Sequence, residues 1–96
     1  MPNLYLITSP EEYLDYDTYD SAVVCANSEA EARCIHPNGV SIFTNGRFVH
    51  KESGYVSRLN DFEGWVPPHE LHVTFVGVAA KGMQPGTVVC ASFNAG

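Results

Sequence analysis

The chain has 96 residues, is 45% hydrophobic, and carries 11 acidic against 5 basic side chains for a net charge of −6. That length suits one domain over residues 1–96 with a small core, and the negative balance excludes general nucleic-acid binding through phosphates. No apolar run approaches the ~20 residues that cross a bilayer, and the first residues, MPNLYLITSPEEY, lack the basic start and long apolar stretch of a secretory signal. A protein of the cytosol with no membrane segment is therefore expected. Cys25, Cys34 and Cys90 make an odd count without close pairing, and Cys25 and Cys90 sit inside apolar strand-like runs, so buried thiols are expected there.

In chain order, residues 4–8 (LYLIT) read as a first strand. Ser9-Pro10-Glu11-Glu12 has the form of a helix start, with Ser9 as cap and Pro10 at the first helical position. The following YLDYDTYD is poor helix, so a single turn or an irregular loop is expected. Residues 21–26 (SAVVCA) form a Val-rich strand. Ser28-Glu29-Ala30-Glu31 has capping-box spacing and opens a short helix over residues 29–35. Pro37 stops it and biases His36 away from helical angles.

The clearest turn signal is Asn45-Gly46 between residues 40–44 and 47–50. Asn-Gly suits a type I′ hairpin turn, in which both central residues need positive φ. The register then pairs Thr44 with Arg47, Phe43 with Phe48, Ile42 with Val49 and Ser41 with His50. Phe43 and Phe48 become a cross-strand aromatic pair, with Val40, Ile42 and Val49 on the other face. Whether this hairpin extends the main sheet or forms a separate flap stays open. Residues 51–64 are polar and weakly patterned and read as a loop ending at Trp65. Residues 68–71 suit one turn, 72–80 (HVTFVGVAA) a strand, 81–86 a turn-rich connection, and 87–93 (TVVCASF) the last strand. Runs of strands with a single helix predict an α+β fold: a single small sheet of four to six mostly antiparallel strands with one short helix.

Tests for chemistry narrow the choice. His69 and His72 are three apart rather than four and enter a strand, so they do not make a metalloprotease motif. The scattered cysteines and histidines give no zinc-site spacing, and Asp15, Asp17 and Asp20 lack the glycine and distal glutamate of a calcium loop. No metal, no cofactor and no catalytic residue is expected, and the protein reads as a non-enzyme.

Charge is unevenly placed. Glu11, Glu12, Asp15, Asp17, Asp20, Glu29 and Glu31 precede any Lys or Arg, while Arg33, Arg47, Lys51 and Arg58 face only Glu52 between residues 32 and 58. Tyr16, Tyr19, Tyr55 and Trp65 flank irregular segments. Aromatic faces stack on bases and guanidinium groups pair with phosphates, so Tyr55 and Trp65 with Arg47, His50, Lys51 and Arg58 form a candidate anion-binding set.

The segments LYLIT, YDTYDSAVVCANSEAEARCIHP, a later Trp, HVTFVGVAA and GTVVCASFNAG together resemble a family of short phage and prophage accessory proteins of unassigned function. The resemblance covers roughly two thirds of the chain and leaves out about residues 38–64. It implies recurring polar positions at Tyr16, Asp17, His36, Trp65, Ser92 and Asn94, and action in the cytoplasm of a bacterial host. Small phage accessory proteins often counter host defence. Sequestration of a small nucleotide-derived immune signal is the first expectation, with Arg47, Lys51 and Arg58 more important than the N-terminal acids. An acidic protein–protein inhibitor of a host defence complex, of the anti-CRISPR type, is the second, and a small enzyme of unknown reaction the third. Open sheet edges suggest a homodimer.

Overall fold

The computed structural model describes residues 2–10, 18–58 and 61–94. Strand β1 (Asn3–Thr8) pairs antiparallel with β2 (Thr18–Ala26), and the continuous apolar runs at residues 4–7 and 22–26 suit them to the centre of a sheet. The turn expected at residues 9–12 lies largely outside the described residues, as does the Tyr-Asp loop containing Tyr16 and Asp17. β2 begins three residues earlier than its apolar run, because Thr18 and Tyr19 pair with the last strand.

Helix α1 (Glu29–Arg33) starts where the cap predicts: the Glu31 N–H donates to Ser28 Oγ at 3.2 Å. It ends two residues short of the expected Ile35. The Cys34 carbonyl instead accepts from the Phe43 N–H at 2.8 Å, and Ile35 bridges Ile42, so the hairpin captures the backbone that would have continued the helix. Arg33 fastens the helix from its other side, donating through Nη1 to the carbonyls of Leu71 (2.8 Å) and Pro68 (3.2 Å) and through Nε and Nη2 to Glu29.

The hairpin β3 (Ser41–Thr44) and β4 (Arg47–His50) has the register that Asn-Gly dictates, with Asn45 and Gly46 at φ 51° and 82°. The Phe43 and Phe48 rings meet edge to face at 5.1 Å. This hairpin is a separate two-stranded sheet rather than part of the main one. Within the segment read as a loop, residues 51–58 are less irregular than their polarity suggests. Val56 bridges Val49 and the Ser57 N–H donates to the Phe48 carbonyl, so this segment folds back along β4.

A 3₁₀ turn at Pro68–Glu70 leads into β5 (His72–Val78), and β6 (Val88–Asn94) is the last described strand. Cys25 is buried as its apolar run suggests, but Cys90 is exposed, because β6 lies at the sheet edge. The main sheet is antiparallel throughout, in the order β5-β1-β2-β6, giving an α+β fold with one four-stranded sheet, one two-stranded sheet and one short helix. Only one face of the main sheet joins the core: Tyr5, Ile7, Ala22, Val24 and Ala26 pack with Ala32, Ile35, Phe48, Trp65 and Leu71. No described helix is long and apolar enough to cross a membrane.

Candidate functional site

Because the helix ends where β3 begins, α1 and the hairpin form a V. The Pro85–Gly86 turn closes one side of it, held by a 2.7 Å bond from the Gly86 N–H to the Cys25 carbonyl. The result is an open groove of about 450 Å³, within the range of small-molecule sites. Its walls are largely apolar, with Ile35, Ile42, Phe43 and Pro85 among them. Glu31 and Lys51 are its charged liners. Cys34 also lines it; burial, and then the negative charge of Glu31, push this thiol upward and keep it protonated. That is the wrong state for a nucleophile. A second hollow of about 340 Å³ lies behind it against His50, Glu52 and Ser53, and Lys51 stands between the two.

The sequence-derived ligand set does not converge on this groove. Of Tyr16, Asp17, His36, Arg47, Lys51, Tyr55, Arg58, Trp65, Ser92 and Asn94, Lys51 alone is a liner among the described residues. Tyr16 and Asp17 fall outside them. Arg47 is exposed in the first position after the hairpin turn, and Arg58 is exposed beyond the fold-back at Ser57. Tyr55 is 54% exposed, with its ring against His50 at 5.4 Å. Trp65 is in the core, where its Nε1 has no hydrogen-bond partner among the described residues, so packing of the ring holds it. Ser92 lies on the face of the main sheet away from the helix, paired with Ser21, and Asn94 ends the same strand.

His36 has a structural position. It is wholly buried between the rings of Tyr19 (5.7 Å) and Phe48 (4.9 Å). Its Nδ1 accepts from the Asn38 N–H at 3.0 Å, so the proton sits on Nε2, which reaches the carbonyls of Phe62 (3.1 Å) and Glu63 (2.9 Å). Burial holds the imidazole below its usual range, while those carbonyls and the Glu63 charge pull the other way. Both ring nitrogens are engaged, which leaves neither for a ligand in this conformation.

A polar cluster that the sequence did not reveal continues from His36. Glu63, held in the left-handed region at φ 52°, accepts from Ser41 Oγ at 3.1 Å and pairs with His50 Nε2 at 2.9 Å. Asn38 Oδ1 caps the N–H groups of Val40 and Ser41. The cluster ties the 61–64 segment to the hairpin. Ser41 is buried and donates to a carboxylate rather than to an imidazole, so it is not paired with a base as a nucleophile would be. No group of three His, Cys, Asp or Glu side chains converges as metal ligands among the described residues.

The groove liners missed from the sequence are Ala30, Glu31, Cys34, Ile35, Ser41, Ile42, Phe43 and the Pro85–Gly86 turn. The only local signal for them was the helix stop beside a hairpin, which marks a junction but not an opening. Comparison with known proteins adds no further constraint: no family model, no curated protein and no solved structure matches the chain.

Proposed function

We propose that this chain is a non-enzymatic binding protein that sequesters a small nucleotide-derived signal, as a phage accessory protein countering host defence in the bacterial cytoplasm would. The observation that carries the reading is the groove of about 450 Å³ between α1 and the hairpin. Its apolar walls suit a flat heterocycle, and the Lys51 ammonium suits a phosphate. The phage context comes from the sequence resemblance and not from the groove. Among the basic residues of the middle segment, the reading now rests on Lys51, with Arg47 and Arg58 away from the groove.

The test is thermal denaturation against a panel of nucleosides, mononucleotides, cyclic nucleotides and ADP-ribose derivatives. A ligand at a hundredfold excess over its Kd stabilises by ~2.7 kcal/mol, which raises the Tm of a domain this size by roughly 10–20 °C. Lys51→Ala removes most of that shift, whereas Arg47→Ala and Arg58→Ala leave it in place. A panel without a single shift, together with co-purification of a host defence complex, refutes sequestration in favour of the protein–protein inhibitor.

A further inference from the structure

Apart from Cys25, which is buried opposite Leu4, the second face of the main sheet takes no part in the core among the described residues. Antiparallel partners share a face, so the pairs Leu6–Thr74, Val23–Cys90 and Ser21–Ser92 point away from α1. A sheet face left to water normally alternates apolar-in with polar-out. Here the central strands are apolar on both sides: Leu4, Leu6 and Val23 on the outer face back onto Tyr5, Ile7, Ala22 and Val24 on the inner one. The described elements that pack on this sheet, α1 through Ala32, the hairpin through Phe48, and Trp65 and Leu71, all do so on the inner face. Over Leu6, Val23, Cys90 and Ser92 there is only a shallow open hollow of about 170 Å³.

We infer that this outer face is a self-association surface, on which a second copy of the chain packs sheet against sheet. Charge placement selects the partner. None of the outward pairs contains Asp, Glu, Lys or Arg. Glu29 and Glu31 on α1 and Glu63 in the cluster that braces the hairpin sit on the opposite side, while Asp20 in β2 lies beside the outer face and accepts from the outward Ser21 Oγ at 3.1 Å. Two chains of charge −6 can therefore meet here with the helix and hairpin carboxylates turned away and Asp20 capped by Ser21 beside the contact. An anionic polymer finds no cationic complement among the outward pairs.

The sheet edges are poorer contacts. β5 and β6 each carry an extra residue against their neighbours, Val76 and Val89, and such bulges twist an edge away from further pairing. The size of the outer face fits a reversible dimer. Four strands about 4.8 Å apart and about six residues long span roughly 400 Å² of plane, and their pleated side chains present more accessible area than that. Two such faces together bury of the order of 1,000 Å², the lower bound for a specific interface.

Light scattering over a protein series from about 10 µM to about 1 mM tests this, since an interface of that size gives a concentration-dependent dimer. The weight-average mass rises from 10.5 kDa toward twice that value for the natural chain and for Cys90→Ser. Cys90→Glu and Ser92→Glu place like charges in the contact at exposed positions, and each weakens association at least tenfold while leaving the Tm at low concentration unchanged. A natural chain that stays at 10.5 kDa across the series overturns the inference. So does a dimer that survives both glutamate substitutions, which would place the contact at an edge or on another surface.

Discussion

Replacing His36 by Phe tests whether this histidine is part of the architecture or of a binding site. The substitution keeps ring size and the edge contacts to Tyr19 and Phe48. It removes the acceptor for the Asn38 N–H and the donor to the carbonyls of Phe62 and Glu63. The Phe62 carbonyl keeps the Trp65 N–H at 3.0 Å, so two groups, the Asn38 N–H and the Glu63 carbonyl, are left unpaired. At ~1–3 kcal/mol each they cost about 2–6 kcal/mol together. For a domain of this size that lowers Tm by about 8 °C or more. The same geometry sets a pH dependence. Unfolded, His36 takes up a proton near pH 6.5, whereas folded it resists until lower pH because burial disfavours the charged ring. The unfolded chain therefore binds more protons in that window. Stability falls as pH drops below about 6.5, by up to ~1.4 kcal/mol per pH unit for one proton. His36→Phe makes that fall shallower. Urea denaturation from pH 8 to pH 5 measures both effects. A loss below about 1 kcal/mol at pH 8, or an unchanged acid slope, refutes the structural assignment of His36.

Three further outcomes follow from named contacts. Arg33→Ala releases the carbonyls of Pro68 and Leu71 and costs ~1–3 kcal/mol in chemical denaturation, and Lys at this position does not restore the loss because it lacks the forked donors. Ser28→Ala removes the acceptor for the Glu31 N–H and lowers stability by ~1 kcal/mol in the same assay, leaving any ligand-induced shift in Tm intact. In thiol titration at neutral pH, exposed Cys90 reacts first. Cys34 is slow because burial and Glu31 keep it protonated, and a ligand in the groove slows it further; buried Cys25 reacts only on unfolding.

What the chain determines by itself is what depends on a few consecutive residues. Asn45-Gly46 sets positive φ at two positions, and with it the whole register from Ser41–His50 to Thr44–Arg47. Ser28 and Glu31 set the helix start, and the short apolar runs set the strands. Tertiary structure decided everything that depends on distant segments competing for the same apolar surface. The hairpin turned its Phe48 face to the core and became a separate sheet. The helix lost its last turn to β3. Trp65, a ligand candidate from its neighbours in sequence, and His36, one that the resemblance implied, went inside, where a small core takes up the rings that distant segments bring to it. Arg47 and Arg58, close to Lys51 along the chain, parted from it because a hairpin and a fold-back carry sequence neighbours to different surfaces. The groove exists only because α1, β3 and the Pro85–Gly86 turn, more than 50 residues apart at the extremes, meet without filling the space between them. No local propensity encodes a gap in packing, since a gap is set by where separate elements come to rest against one another.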